Sequence, residues 1–423
     1  MSLLKTYNDA SSRGWQSIGS GSGRLYSQYA ELIGNDIVAG DLFGFSSAIS
    51  NNGFYIVAGA PSSIGGGGDR YGAAYVFFKI AGVWGQQAKL LSGESELDDE
   101  FGYSVAINNT GDYIAVGAPG QSVGGIVKGK VYIYKREGTT WTLESIIANP
   151  TSGIDTSLFG YAVSFNDDAS YIAIGDPYNN TTASGAGRIF VYTRSGTTWT
   201  LQQQFNGSPA TTDDNVGWSI KLNSDATYLF AGSPGDFVLG SGSGSGYIFS
   251  RSGSTWTQQQ KISPTFVTGY TYVGAAFGRS CDINKTGDVL IVGSPGLEGP
   301  NDELRVGAFY VFTRSGSTWT QQAVINGIRL TGEPAFGTAV TMNQYGSLLI
   351  GTSPLDNAGS ADIYQGNGSV YGLIQSIDPT SAYTVNEFGT SIGADIDAFT
   401  LVIGAPSSNT TGVNAGAIYV FAS

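Results

Sequence analysis

The chain has 423 residues, 20 basic against 33 acidic side chains, no histidine and a single cysteine. A net charge of −13 without a Lys/Arg cluster argues against nucleic-acid binding and against attraction to an anionic membrane, both of which need a basic surface. The missing histidine excludes Ser-His-Asp and Cys-His catalysis and every His-ligated metal site, and one cysteine excludes an internal disulfide.

Glycine is abundant at 63 residues, and Ser, Thr, Asn and Gln fill most polar positions, which suits tight turns between strands of Tyr, Phe, Val and Ile. The chain is expected to be all-β. It opens on MSLLKTYNDASSRGWQ, which lacks the apolar run of a cleavable signal peptide, and no segment reaches transmembrane length. Residues 1–20 fall outside the pattern that follows and are read as an N-terminal arm or attachment segment.

From residue 21 onward the chain is repetitive. LYSQYAELIG, from Leu25 to Gly34, is followed by Phe-Gly pairs at Phe43, Phe101, Phe159, Phe277, Phe336 and Phe388, with Val216-Gly217 in the remaining slot. Each pair is followed by a Gly-small-Pro motif: GAP ending at Pro61, Pro119 and Pro406, GDP at Pro177, GSP at Pro234 and Pro295, and a stretched GTSP at Pro354. An aromatic segment comes next, such as GKVYIYKR from Gly129, and then a segment opening on Trp, such as WTQQAVIN from Trp319. Each unit reads as four short strands, and regular repetition of four antiparallel strands describes propeller blades.

The chain stops at GAIYVFAS, a third strand with no fourth, while the N-terminal LYSQYAELIG resembles the fourth strand VWGQQAKLLSG from Val83, with Tyr26 in the Trp84 slot. The expected fold is therefore a seven-bladed β-propeller over residues 21–423, closed by an N-terminal strand that completes the last blade and leaves no open edge. Within FGYSVAIN, alternation puts Tyr103, Val105 and Ile107 on one face and Gly102, Ser104 and Ala106 on the other. Bulky faces should then pack on small faces around the ring. Trp84, Trp141, Trp199, Trp256 and Trp319 recur at one position and are read as packing between blades; the alternative is a row of sugar-stacking platforms.

The FG…GAP pattern resembles the FG-GAP repeats of integrin α-subunit propellers and their microbial relatives, over nearly the whole chain. The resemblance implies a seven-bladed propeller whose faces bind proteins or glycans. Many members of that family carry a calcium loop between the first two strands of a blade. Here the turns are short, as in NNTGD from Asn108 and NDDAS from Asn166, and are read as plain hairpin turns without metal, closer to microbial and viral surface proteins than to integrins.

No catalytic residue, metal site or cofactor is expected. Cys281 is read as a small buried residue, and Gly65–Gly68 and Gly240–Gly246 as loops without the Gly-Lys-Ser/Thr of a phosphate-binding loop. Carboxylates before the Phe-Gly pairs (Asp41, Asp98, Asp99, Glu100, Asp213, Asp214, Glu333 and Glu387) are expected as a solvated acidic rim, or alternatively as a cation or basic-ligand site. The loops between second and third strands and those joining blades vary most and share one face. In the longest, SPTFVTGYTYVGAA, the exposed-looking Phe266, Tyr270 and Tyr272 are the candidate ligand-binding residues, with packing at the blade-four/blade-five junction as the alternative for the tyrosines.

The expected function is non-catalytic recognition or structure on a particle or cell surface. A virion tail, fibre or capsid-surface component is favoured, binding protein or glycan through the loop face and other virion proteins through the N-terminal arm. A carbohydrate-active enzyme with paired carboxylates and an intracellular interaction scaffold are the alternatives.

Overall fold

A computed structural model describes residues 25–63, 71–93, 98–123, 125–151, 157–300, 305–328, 333–356, 358–379 and 387–423. The N-terminal arm of residues 1–20 and the glycine run Gly65–Gly68 lie outside the described residues. Seven four-stranded antiparallel sheets follow one another, six of them in sequence order from first to fourth strand. In blade two these strands are Ser104–Ile107, Tyr113–Ala118, Lys130–Glu137 and Thr140–Ala148. Among the described residues no helix is long and apolar enough to cross a membrane.

Blade seven is built from both ends of the chain, as expected. Ser27–Leu32 pairs antiparallel with Ala417–Ala422, with Ser27 opposite Ala422. The Tyr26 amide donates to Gln375 Oε1 at 2.7 Å, and Gln375 Nε2 donates to the Tyr26 carbonyl at 2.8 Å. The same two-bond clamp joins Gln203 to Trp256 and Gln260 to Trp319. Tyr26 therefore occupies the Trp position in contact as well as in sequence.

The alternation along the first strand distributes side chains between neighbouring blades. Val105 and Ile107 pack with Tyr55 and Val57 of blade one, whereas Ala106 packs with Phe165 and Ile172 of blade three. The Phe of each Phe-Gly pair is fully buried, and Phe43, Phe101, Phe277, Phe336 and Phe388 each bridge a glycine of the preceding blade, as Phe101 does Gly72 and Phe43 does Gly416. The glycine of the Gly-small-Pro motif is demanded by contact. A Cβ on Gly117 would lie 2.1 Å from the Gly160 carbonyl of the next blade, and one on Gly59 would lie 1.9 Å from Gly102 O.

That carbonyl is also a hydrogen-bond acceptor. Ser46, Ser104, Ser219, Ser280 and Ser391 each donate a hydroxyl to the Phe-Gly glycine of the following blade at 2.7–2.9 Å. Blade six has Ala339 at the serine position. Its GTSP is not stretched: Thr352 pairs with Ala361 as Gly293 pairs with Phe309, so Thr352 stands in the glycine place. The Thr352 hydroxyl then donates to Gly389 O at 2.6 Å. Serine plus glycine has been exchanged for alanine plus threonine, with the interblade bond kept.

Every third-to-fourth strand pairing contains a bulge at the same place, for example where Gln87, Gln202 and Gln259 are passed over. A bulge re-aims the side chain it carries. These glutamines accept the indole N–H of Trp141, Trp256 and Trp319 in the next blade at 2.8–3.1 Å. Trp141, Trp256 and Trp319 thus join blades, as the repeat suggested.

Candidate functional site

The residue after each Phe-Gly pair opens the first strand at the loop face, beside the propeller axis. In blades one to four it is aromatic, and the rings form a continuous arc. Phe45 lies 4.9 Å from Tyr103, Tyr103 lies 4.8 Å from Tyr161, and Tyr161 lies 4.7 Å from Trp218. In blade five the position is Arg279, whose guanidinium sits over the Trp218 ring at 4.6 Å. Thr338 and Thr390 complete the circle, their hydroxyls donating to the carbonyls of Ala335 and Glu387. Tyr178, from the second-to-third-strand loop of blade three, is exposed and 6.2 Å from Trp218. The arc rings are half-buried and Arg279 is exposed. Burial raises the Tyr103 and Tyr161 hydroxyls above the usual phenol range.

Below the arc the first strands line an axial channel of about 280 Å³ that reaches the short turns. Its polar groups include Lys221, Asp282 and Cys281. Lys221 Nζ is 3.1 Å from Asp282 Oδ1, and Asp282 also accepts from the Thr341 hydroxyl and the Met342 amide of blade six. The Asp282 charge holds the Lys221 ammonium above its ordinary value. Cys281 is half-buried on the channel wall, and desolvation pushes its thiol up to about 12. That matches an inert small residue rather than a nucleophile.

At the opposite face the short turns are tied to one another. Backbone amides donate to the next turn from Asn52 to Asn109, Asn109 to Asp167, Asp167 to Ser224, Lys285 to Gln344, Gln344 to Ile396 and Ile396 to Asn51, at 2.8–3.4 Å. Asn223 Nδ2 reaches Lys285 O at 3.4 Å across the remaining junction. Within a turn, Asn108 Oδ1 accepts the Asp112 and Tyr113 amides while its Nδ2 donates to Asp112. Arg136, Arg194, Arg251 and Arg314 brace these turns. Each Nε donates to a turn carbonyl at 2.6–2.8 Å, and each guanidinium lies 4.2–4.5 Å from the ring of a preceding-blade tyrosine. Sequence reading missed these arginines. Their recurrence two residues after the segments YIY, FVY, YIF and YVF was the available signal.

The three candidate ligand residues separate. Phe266 is exposed at 62%. Tyr270 is half-buried, and its hydroxyl accepts from Asn326 Nδ2 at 3.3 Å. The exposure expected for Tyr272 is corrected: it is 4% exposed, packed in a cluster with Phe277 and Tyr310, and its hydroxyl bonds both Thr265 O and the Val267 amide. The loop folds back because blade five supplies an apolar seat for that ring.

The solvated acidic rim is also corrected in part. Asp98, Asp213 and Glu333 are exposed, but Asp41, Asp99 and Asp214 are buried. Asp41 accepts the Val38 amide, and Asp214 accepts both the amide and the hydroxyl of Thr211, so these carboxylates cap loop backbone. Among the described residues no group of three or more His, Cys, Asp or Glu side chains is placed to hold a metal.

Seven sheets closed into a ring, with their inner strands lining a channel, define a seven-bladed β-propeller. The family model for the FG-GAP repeat matches residues 26–77 and 84–134, the closing strand with most of blade one and then the fourth strand of blade one with most of blade two. The chain is thus a seven-bladed β-propeller with FG-GAP repeats in its first two blades, and similar bridging contacts recur in other blades. No curated protein matches it in sequence. Solved structures share the fold at low identity. U3-55K matches at 11% identity and a TM-score of 0.58, covering 93% of this chain and 98% of its own. The WD40 repeats of RRP9 match at 10% and 0.57, covering 93% and 96%. A candidate 6-phosphogluconolactonase from Bacteroides fragilis matches at 12% and 0.52, covering 79% and 84%.

Proposed function

We propose that this protein is a non-catalytic recognition or structural module on the surface of a particle or cell, with a virion tail, fibre or capsid surface as the favoured setting. Its partner, a protein or a glycan, is engaged by the loop face. The observation that carries this reading is the difference between the two faces. One is tied by turn-to-turn hydrogen bonds, whereas the other gathers aromatic rings and an arginine at the axis and exposes Phe237, Phe266 and Val273 around it. Tyr, Trp and Arg are the residues enriched at binding hot spots, and variable loops on a rigid frame are where recognition is usually placed.

The test combines a glycan array, a pull-down from host or neighbouring cells, and a glycan-hydrolysis panel. Binding that is weakened by the loop-face change Tyr178→Ala, and not by the opposite-face change Lys285→Ala, supports the reading. Turnover lost on changing a single Asp or Glu would overturn it in favour of an enzyme. Immuno-electron microscopy of source particles addresses the setting, and absence of the chain from them removes the virion version.

A further inference from the structure

Arg279 is the odd member of the axial circle. Four of its six counterparts are aromatic and two are threonine, so an arginine is not required to close the ring of first strands. Its side chain is exposed, yet its guanidinium is held over Trp218 at 4.6 Å, while Tyr161 packs on Trp218 at 4.7 Å. Among the described residues it forms no ion pair with any carboxylate, although the chain carries 33 acidic side chains. Glu100, one of the carboxylates at this rim, sits above its usual range because of burial and the neighbouring Asp98 charge, the reverse of what an arginine partner would produce. The four other arginines stacked on aromatic rings (Arg136, Arg194, Arg251 and Arg314) each spend Nε on a turn carbonyl. Arg279 therefore presents a planar, pre-positioned fork of N–H donors at the centre of the loop face, a geometry that matches a carboxylate bidentately.

We infer that Arg279, held on Trp218, binds the carboxylate of an acidic sugar residue at the axial mouth, with the exposed ring of Tyr178 flanking the pyranose body. This rests on the loop-face reading above and names its ligand class. A sugar is favoured over an acidic peptide by the surrounding charge. Asp98, Asp213 and Glu333 are exposed on the loops entering the first strands, so a ligand with several negative charges is repelled there, while one carboxylate on a neutral hydroxylated body is not. Thr338 and Thr390, the next two positions after Arg279 around the mouth, use their protons on backbone carbonyls and leave hydroxyl oxygens as acceptors for sugar O–H groups.

The experiment is calorimetric titration of the full chain with sodium glucuronate, sodium N-acetylneuraminate, their uncharged methyl esters and a glutamate-rich peptide. At least one free acid is expected to bind ten-fold or more tighter than its ester, with the peptide weaker than that acid. Arg279→Ala should abolish this preference. Arg279→Lys should lose most of it, because the charge is kept and the fork is not. Melting temperatures of both variants are expected to stay at the wild-type value, since the side chain is exposed. Equal binding of acid and ester, or an unchanged preference in Arg279→Ala, overturns the assignment; peptide binding tighter than any sugar overturns the ligand class. If neither acid binds the wild-type protein, the inference fails. The loop-face reading survives that failure only if array or pull-down binding persists and remains sensitive to Tyr178→Ala.

Discussion

Removing the Thr352 side chain should loosen the sixth blade's hold on the seventh. Thr352→Gly deletes the 2.6 Å hydrogen bond to Gly389 O, and Ala339 has no hydroxyl to replace it. The lost bond costs about 1 kcal/mol, the lost buried methyl about 0.8 kcal/mol, and the added glycine freedom about 0.5–1 kcal/mol, so about 2–3 kcal/mol is expected. Adding Ala339→Ser to that variant recreates the serine–glycine pair of five other junctions and should return about 1 kcal/mol. In the wild-type background the same Ala339→Ser puts a second hydroxyl at an occupied carbonyl and should be neutral or destabilising. Urea denaturation of all four proteins, followed by tryptophan fluorescence, completes a double-mutant cycle with an expected coupling of about 1 kcal/mol. If the two changes add within about 0.3–0.5 kcal/mol, the hydroxyl exchange between the two positions is not what joins these blades.

Ala162 stands at the serine position of blade three, opposite Gly175, so Ala162→Ser should add the missing interblade bond and raise stability by about 0.5–1.5 kcal/mol in the same urea assay. Tyr272→Ala should cost about 3–5 kcal/mol because the ring is buried, whereas Phe266→Ala should leave the melting temperature within a degree or two; equal effects would contradict the placement of this loop. The Cys281 thiol, pushed up to about 12, should resist iodoacetamide at pH 8 in the folded protein and react once urea unfolds it. The sign of its linkage follows: its contribution to stability is complete below the unfolded thiol value and falls as pH rises toward the folded one. Deleting residues 1–34 should prevent cooperative folding, since blade seven loses Ser27–Leu32, while deleting residues 1–20 should leave the melt unchanged.

The blade count, the strand order and the closing strand were legible because they rest on residues that every blade needs for the same contact. Phe at the core bridge, Gly against a neighbouring carbonyl and Trp on the preceding blade repeat in the sequence at the spacing at which they repeat in space. What escaped was whatever replaces such a residue by a different solution. GTSP looked like an insertion because a threonine in a glycine slot makes sense only beside Ala339, a pairing no local pattern displays. The bulge glutamines looked like ordinary polar strand positions, since their partner indoles lie in the next blade. Asp41 and Asp214 looked like surface charge because a carboxylate that caps loop backbone has the same sequence signature as one in water. Tyr272 looked exposed for the mirror-image reason, an aromatic in a polar loop whose seat is supplied by another blade. The aromatic arc was on view as the residue after each Phe-Gly pair, but alternation assigned those residues to packing and said nothing of their convergence on the axis.

The join in blade seven has a topological consequence. Ser27 faces Ala422, so the two ends of the ring meet where every other blade turns from its third strand to its fourth. A short linker of the SGST kind placed there, together with a cut at any other such turn, would yield a circularly permuted chain with every strand pairing preserved. Which blade comes first is then an accident of where the circle is opened. A tether fixed to both ends would load a single hairpin, the Ser27–Leu32/Ala417–Ala422 pair, as the seam of the disc.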